Sequence, residues 1–337
     1  MRPSLLPELI NDPFGDPGVY VDCLFEGRAL LIDLGDLRPL APRKLLRVSD
    51  IFVSHCHMDH FMGFDWFLRI CLGRDRSVRM YGPPDFIDRV EAKLAAYAWN
   101  LVHRYDNDFQ LTVHALQPDG CIERARFHVR TAFRREPLAP QSCPDGVVLR
   151  EPGLCVRAVL LDHGIPCLGY ALEEALHVNV WKNRLAERGL PVGPWLRALK
   201  HAVLRAAPAD TPIPTPLGER PLAELMDCVQ LTTGLRIAYV TDVAYHADNA
   251  RRIIDLARDA DWLFIEAVFL DEAAARAAEK RHLTAAQAGR LARAARAKTV
   301  VPFHFSPIYR GRESELYAEL QAELDGVQVC ARNARSS

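Results

Sequence analysis

The chain has 337 residues, 49% of them hydrophobic and 25% charged, proportions of an ordinary folded protein. That hydrophobic share excludes disorder, and only 19 glycines exclude a collagen-like repeat. Lys and Arg number 42 against 43 Asp and Glu, a net charge of −1, so a general nucleic-acid coat is excluded. A polyanion would have to be held by a local patch, a metal, or both.

The nine cysteines are scattered, odd in number, and form no C-x-x-C. This argues against a disulfide framework or a cysteine zinc cluster and for a reducing compartment. The start, MRPSLLPELINDPF, has no apolar signal core, and no run of 18 apolar residues occurs. The expectation is a cytoplasmic protein with no membrane partner.

In chain order, residues 28–34 (RALLIDL) and 50–54 (DIFVS) read as strands, followed by 78–81, which Gly82-Pro83-Pro84 stops. Asp85 is expected to cap a helix running to about Asn100, with Phe86, Val90, Leu94 and Tyr97 on one face. Residues 121–132, 154–161, 236–241, 261–266 and 299–303 read as further strands, and helices are expected near 246–258 and 313–324. Thr284 and Gln287 fit a capping box opening a helix to about Ala297. Repeated strand–helix units make this an α/β protein of layered sheets and helices.

One stretch differs. Between His177 and Leu222 lie seven prolines, and seven Lys/Arg face three Asp/Glu, a local excess of four positive charges. Pro191-Val192-Gly193-Pro194-Trp195 reads as a rigid turn beside an exposed aromatic. The stretch is expected to be a helical arm followed by a loop; the plainer alternative is a tolerated surface insertion.

The strongest chemical signal is Ser54-His55-Cys56-His57-Met58-Asp59-His60, directly after a predicted strand. His55 and His57 point the same way at a strand end, and Asp59 and His60 fall in the following turn. Three imidazoles and a carboxylate so close together suit zinc. Cys56 is expected to face the core. Three further strands end on a metal-type side chain: His163 in LLDHGIP, Asp242 in YVTDV and His304 in VPFHFSP. Four separated strands thus deliver ligands near their C-terminal ends, where open α/β sheets place their sites.

A single catalytic zinc needs three protein ligands and an open position. Seven candidates exceed that, so two metals are expected. His55, His57, His163 and a bridging Asp242 fall to one ion; Asp59, His60, His304 and the same Asp242 fall to the other. Such a pair, about 3.5–4 Å apart, can clamp a phosphodiester. Glu266 closes the apolar strand Trp262–Ile265, where a carboxylate is costly unless paired or used. His282 lies just before the helix cap. Proton donation by His282 to a leaving oxygen, with Glu266 orienting it, competes with a salt bridge and a cap decoration. The other histidines (103, 114, 128, 177, 201 and 246) are expected to be structural or surface residues.

These motifs resemble the metallo-β-lactamase superfamily and, within it, the ribonuclease Z family. The resemblance runs from about residue 20 to 312, through SHCHMDHFMG (54–63), VRMYGPP (78–84), LDHGIPCLGY (161–170), YVTD (239–242), IEAVF (265–269), HLTAAQAG (282–289) and PFHFSPIYRG (302–311). It implies an αβ/βα sandwich of two mixed sheets with outer helices, one hydrolase domain over 1–337, and a homodimer. It implies that His55, His57, Asp59, His60, His163, Asp242 and His304 hold two Zn2+, with Mn2+ as the alternative. Asp59 would also be the general base, and Glu266 and His282 the catalytic pair. The insertion at 176–225 looks like an exosite arm for tRNA, which gives its local charge a use.

Several family features are replaced. The glycine-rich start and P-x-K-x-R-N loop are absent, the region reading LINDPFGDPGVYVD. Gly-Asp-Thr becomes Thr241-Asp242-Val243, His-Glu-Ala-Thr becomes Ile265-Glu266-Ala267-Val268, and His-Ser-Thr becomes His282-Leu283-Thr284. The leading expectation is a dinuclear-zinc phosphodiesterase acting on RNA, with tRNA 3′-end processing as its finer form. The alternative is a hydrolase of a small cyclic phosphodiester, ester or lactone.

Overall fold

The computed structural model describes residues 5–24, 26–174, 176–324 and 326–330. The amino-terminal part builds an eight-stranded sheet in strict chain order. Its strands are β1 (Leu5–Leu9), β2 (Val19–Cys23), β3 (Arg28–Ile32), β4 (Val48–Phe52), β5 (Arg76–Gly82), β6 (Phe109–Leu116), β7 (Cys121–His128) and β8 (Glu136–Ser142). β3 to β6 are parallel, and the flanking pairs are antiparallel. The second sheet opens with β9 (Val147–Glu151), β10 (Leu154–Asp162) and β11 (Pro166–Glu174). The arm adds two ribbons, β12 (Leu176–Val180) with β15 (Val229–Thr233), and β13 (Pro212–Thr215) with β14 (Gly218–Pro221). The chain then returns as β16 (Arg236–Val240), β17 (Trp262–Glu266), β18 (Thr299–Phe303) and β19 (Gln328–Val329), giving the order β19-β18-β17-β16-β11-β10-β9. From β16 to β19 all neighbours are parallel.

Parallel strands must be covered on both faces, and three apolar layers do this. Val21, Leu30, Phe52, Tyr170, Tyr239 and Phe303 fill the space between the sheets. Helices Phe64–Cys71 and Phe86–Ala95 cover the first sheet from outside through Phe64, Phe67, Phe86 and Val90. Helices Ala247–Leu256, Ala285–Ala294 and Glu313–Ala322 cover the second through Ile253, Leu291 and Leu316. The result is a helix–sheet–sheet–helix sandwich, as the motifs imply. The Thr284–Gln287 capping box is formed in both directions. All nine cysteines are free thiols. Among the described residues no helix is long and apolar enough to cross a membrane.

Some expectations shift. The helix after Asp85 ends at Ala95, not Asn100, because the Trp99 indole Nε1 donates to the Leu94 carbonyl at 2.8 Å and closes the helix end. Tyr97 is consequently exposed, and Asp85 accepts from Arg89 at 2.8 Å instead of capping with its side chain. The strand expected over 121–132 stops at His128, where a tight turn leads to left-handed Ala132 and Phe133.

The arm is more than a helix and a loop. Helices Lys182–Glu187 and Leu196–Leu204 pack with the hairpin β13–β14 around their own core of Leu185, Leu190, Leu199, Ile213, Leu222 and Leu225. Trp195 is half-buried against that core, its Nε1 donating to the Pro191 carbonyl at 2.8 Å.

Among the histidines expected to be structural, His114 has a measurable role. It is buried on β6, stacked on Tyr81 at 4.4 Å with its Nδ1 beside the Met80 carbonyl. Burial lowers its pKa to about 4. A histidine kept neutral in the fold but free to protonate when unfolded contributes stability above pH 6.5 and loses it as pH falls towards 4. We expect unfolding stability to drop by about 2 kcal/mol from this group between pH 7 and pH 5. His114→Phe removes that component. Urea unfolding of both proteins at the two pH values checks it, and an unchanged pH slope in the variant refutes it.

Candidate metal centre

The site forms where strands from both sheets end on the same side. Three of them turn on a non-glycine residue in the left-handed region: Asp33 after β3 (φ 58°), Asp242 after β16 (φ 49°) and His304 after β18 (φ 59°). Asp and His tolerate this region better than most side chains, yet it still stores strain, and such strain concentrates at functional sites. Here it turns each side chain into the same space.

β4 stops at Phe52, two residues earlier than expected. The cause is Asp33, whose carboxylate accepts from the Ser54 backbone N–H at 2.6 Å and from the Ser54 hydroxyl at 2.8 Å. The chain leaves the sheet there and carries His55 and His57 into the site from a loop. His57 is extended at the start of the short turn Met58–Phe61, which buries His60 and leaves Asp59 at the rim. β10 delivers His163, β16 Asp242, β17 Glu266 and β18 His304.

All seven candidate ligands meet. His55, His57, His163 and Asp242 each place a ligand atom within 4.8 Å of the others; Asp59, His60 and His304 do the same. Asp242 lies beside both groups. Its Oδ2 is 3.2 Å from His55 Nε2, 3.4 Å from His60 Nε2 and 3.4 Å from His163 Nε2; its Oδ1 is 3.2 Å from His304 Nδ1. A further group joins Asp242, Glu266, His282 and His304.

Outer hydrogen bonds set which nitrogen points inward. Asp33 Oδ2 lies 2.8 Å from His60 Nδ1, and the Arg281 carbonyl lies 2.9 Å from His163 Nδ1. Each partner takes the Nδ1 proton and leaves Nε2 as a lone-pair donor towards the cluster. His55 Nε2, His60 Nε2 and His304 Nδ1 are buried and make no hydrogen bond. Buried nitrogens are rarely left without a partner, so this is a donor set that fits a cation.

The electrostatics agree. Burial lowers His55, His57 and His163, which favours the neutral form a metal ligand needs. Burial should likewise lower His60 and His304, but nearby carboxylates outweigh it. Asp242 and Asp33 push His60 well up, and Asp242 and Asp59 raise His304 to about 10. The carboxylates move the other way. Burial would raise Asp59, yet His304 and His60 hold it at about 2. Asp242 is held well below its ordinary range, by His304 and His60 against burial. The cavity therefore demands positive charge.

Glu266 is fully buried. Its Oε2 pairs with His282 Nδ1 at 2.9 Å, and its Oε1 accepts from the backbone of Val243 and Leu283 at 3.0 and 3.1 Å. Burial would raise its pKa, but His282 holds it at about 2. His246 takes no place in the cluster; its Nδ1 accepts from Asn249 N–H at the start of a helix. Cys56 packs against the outer core of the first sheet.

Asp33 and Arg281 were not legible as site residues. Asp33 holds three residues at once, Ser54, His60 and Tyr239, since the Tyr239 hydroxyl also donates to it at 2.7 Å. The available signal was an acid directly after a run of apolar residues, in LLIDLG.

A model of the beta-lactamase superfamily domain matches residues 201–305. The ribonuclease Z of Deinococcus radiodurans is 32% identical over 312 residues, covering 91% of this chain and 90% of its own. The chain belongs to the ribonuclease Z family. It is a metal-dependent hydrolase, an endoribonuclease. The ribonuclease Z of Treponema pallidum strain Nichols is 28% identical over 296 residues, covering 86% of this chain and 81% of its own. Two solved structures share the fold. The metallo-beta-lactamase fold protein YhfI from Bacillus subtilis has a TM-score of 0.57 at 15% identity, over 98% of this chain and 97% of its own. The short form of human tRNase Z has a TM-score of 0.53 at 21% identity, over 90% and 93%.

Proposed function

We propose that this enzyme cleaves precursor tRNA at a phosphodiester near its 3′ end, with two zinc ions in the cluster. The observation that carries this reading is the convergence of seven metal-type side chains beside the Glu266–His282 pair, in a chain of the ribonuclease Z family. His55, His57, His163 and Asp242 would hold one ion, and Asp59, His60, His304 and Asp242 the other. A divalent pair there supplies Lewis-acid polarisation of the phosphoryl oxygen and a water acidic enough to attack at neutral pH.

The rest falls to the chain. Asp59, at the rim with its Oδ2 3.2 Å from His304 Nε2, is placed to accept a proton from the attacking water. Glu266 Oε2 takes the Nδ1–H of His282, which leaves Nε2 to protonate the departing ribose oxygen. Asp33 and the Arg281 carbonyl keep His60 and His163 in the ligating tautomer. The arm over 176–225, with its excess positive charge and its own core, would grip the tRNA body away from the cut, and the working unit would be a homodimer with this single hydrolase domain in each subunit.

The test is purified protein with its metal quantified, assayed on precursor tRNA and on a chromogenic phosphodiester. Two zinc ions per chain and cleavage of both substrates are expected. Turnover of the small diester alone would favour a small-molecule hydrolase, and failure on both would sink the phosphodiesterase reading. The arm can be excised cleanly, because the Trp181 N–H donates to the Cys228 carbonyl at 2.9 Å and the cut ends adjoin. Replacing 182–227 with two glycines should weaken precursor tRNA binding by about tenfold or more, the scale of losing several phosphate contacts. Small-diester turnover should persist. Unaltered tRNA cleavage would remove the exosite role.

A further inference from the structure

We propose that the cavity beside the cluster is a subsite for one nucleotide, the one whose ribose carries the leaving oxygen. The orientation rests on the reading of His282 as the proton donor to that oxygen. The cavity, of about 320 Å3, is at the size limit of small ligand pockets and has room for a single nucleotide. Asp59, His282 and His304 are among its lining residues, so whatever fills it lies beside the cluster.

Its walls divide into three chemistries. Phe14 and Phe269 supply aromatic surface. Phe14 is braced, with the Phe305 edge at 5.4 Å and the Arg310 guanidinium 5.0 Å from its ring, and a fixed ring suits stacking on any base. Arg276 and Lys280 stand four residues apart on the helix Ala274–Lys280, hence on one face. Both are exposed, and neither has an ion pair among the described residues; Arg276 sits 5.6 Å from the Phe269 ring. With no acid matched to them, these two cations are left for a mobile anion. Asp16 is the third chemistry, a lining carboxylate close enough to Asp59 to feel its charge. It repels a phosphate and accepts from a ribose hydroxyl.

A nucleotide meets all three at once in one orientation. Its 3′-oxygen faces His282, its base lies on the aromatic wall, its sugar hydroxyl meets Asp16, and its 5′-phosphate lies between Arg276 and Lys280, away from both carboxylates. Cationic contact to that phosphate positions the strand without reading sequence.

The test is calorimetric titration of the zinc-loaded full chain with adenosine 5′-monophosphate, adenosine 3′-monophosphate and inorganic phosphate. The 5′-nucleotide should bind more tightly than inorganic phosphate and, unlike the 3′-nucleotide, should depend on Arg276 and Lys280. The double variant Arg276→Ala/Lys280→Ala should weaken the 5′-nucleotide by about tenfold or more, as expected for lost charge-assisted contacts, and leave inorganic phosphate unchanged. Phe14→Ala should weaken the 5′-nucleotide too. Both cations are on the surface, so thermal melting should not change. Equal affinity for the 5′-nucleotide and phosphate, or no effect of the double variant, overturns the subsite. If these bindings behave as stated while precursor tRNA stays intact, the subsite holds and the tRNA reading fails; cleaved tRNA with an unresponsive titration gives the reverse.

Discussion

Asp242→Asn should lose cleavage of every phosphodiester substrate and should lose bound metal with it. Among the described residues no other side chain has ion-pair contacts to as much of the cluster: its two oxygens lie within 3.4 Å of nitrogens from His55, His60, His163 and His304. The amide keeps the shape and tolerates the left-handed backbone at this position, so the fold should survive, whereas alanine there would add backbone strain. What disappears is the charge that both metal groups share. Changing a mere outer-shell partner of a metal typically costs about 10–100-fold; a shared ligand should cost at least that on turnover. Metal analysis is the decisive readout, with fewer than two zinc ions per chain expected in the variant. Full zinc content together with full activity would refute Asp242 as the bridge.

The reason this position matters so much lies in the fold. Asp33, Asp242 and His304 each follow a buried parallel strand and each turn with positive φ. Parallel strands share one direction, so their ends share one edge, and a short left-handed step aims each side chain across that edge. Asp33 does not reach the cluster itself. It fixes the Ser54 backbone and the His60 ring, and through Tyr239 it is tied to the second sheet. A single buried carboxylate thus registers the two sheets at the point where candidate ligands from both come together.

How much of this was legible follows from the same geometry. His55, His57, Asp59 and His60 could be read because they are contiguous and directly follow an apolar run. His163, Asp242 and His304 could be read because each ends a strand whose apolar run is unmistakable. Asp33 ends such a strand too, but a lone aspartate before Leu34 and Gly35 has the same appearance as any turn acid. Its partners, Ser54 and Tyr239, lie 21 and 206 residues away, beyond any local pattern. The early end of β4 was hidden for the same reason, since a distant side chain and not a local breaker ends it. In the arm, prolines masked the leucines at 185, 190, 199, 222 and 225, whose spacing fits no single helix or strand because the core is shared among several short elements.

His282→Ala should separate the chemistry of the leaving group from the binding of metal. His282 Nδ1 is committed to Glu266, which is itself held by two backbone N–H groups. The ring is therefore fixed, and the buried carboxylate beside it favours the protonated form, raising the His282 pKa against the opposing effect of its burial. A ribose alkoxide is a poor leaving group and needs that proton; a nitrophenolate does not. Loss of a positioned general acid costs about 10²–10⁴-fold, and this loss should appear on RNA. On bis(p-nitrophenyl) phosphate the same variant should stay near the parent rate. Glu266→Gln should follow the same selectivity with a smaller loss, since the amide still positions the ring but no longer favours its charged form. Zinc content should be unchanged in the His282 variant. Equal losses on both substrates, or loss of an ion, would instead make His282 part of the donor group it borders with Asp242, Glu266 and His304. The two variants therefore divide the site into a part that holds metal and a part that moves a proton, each with its own readout.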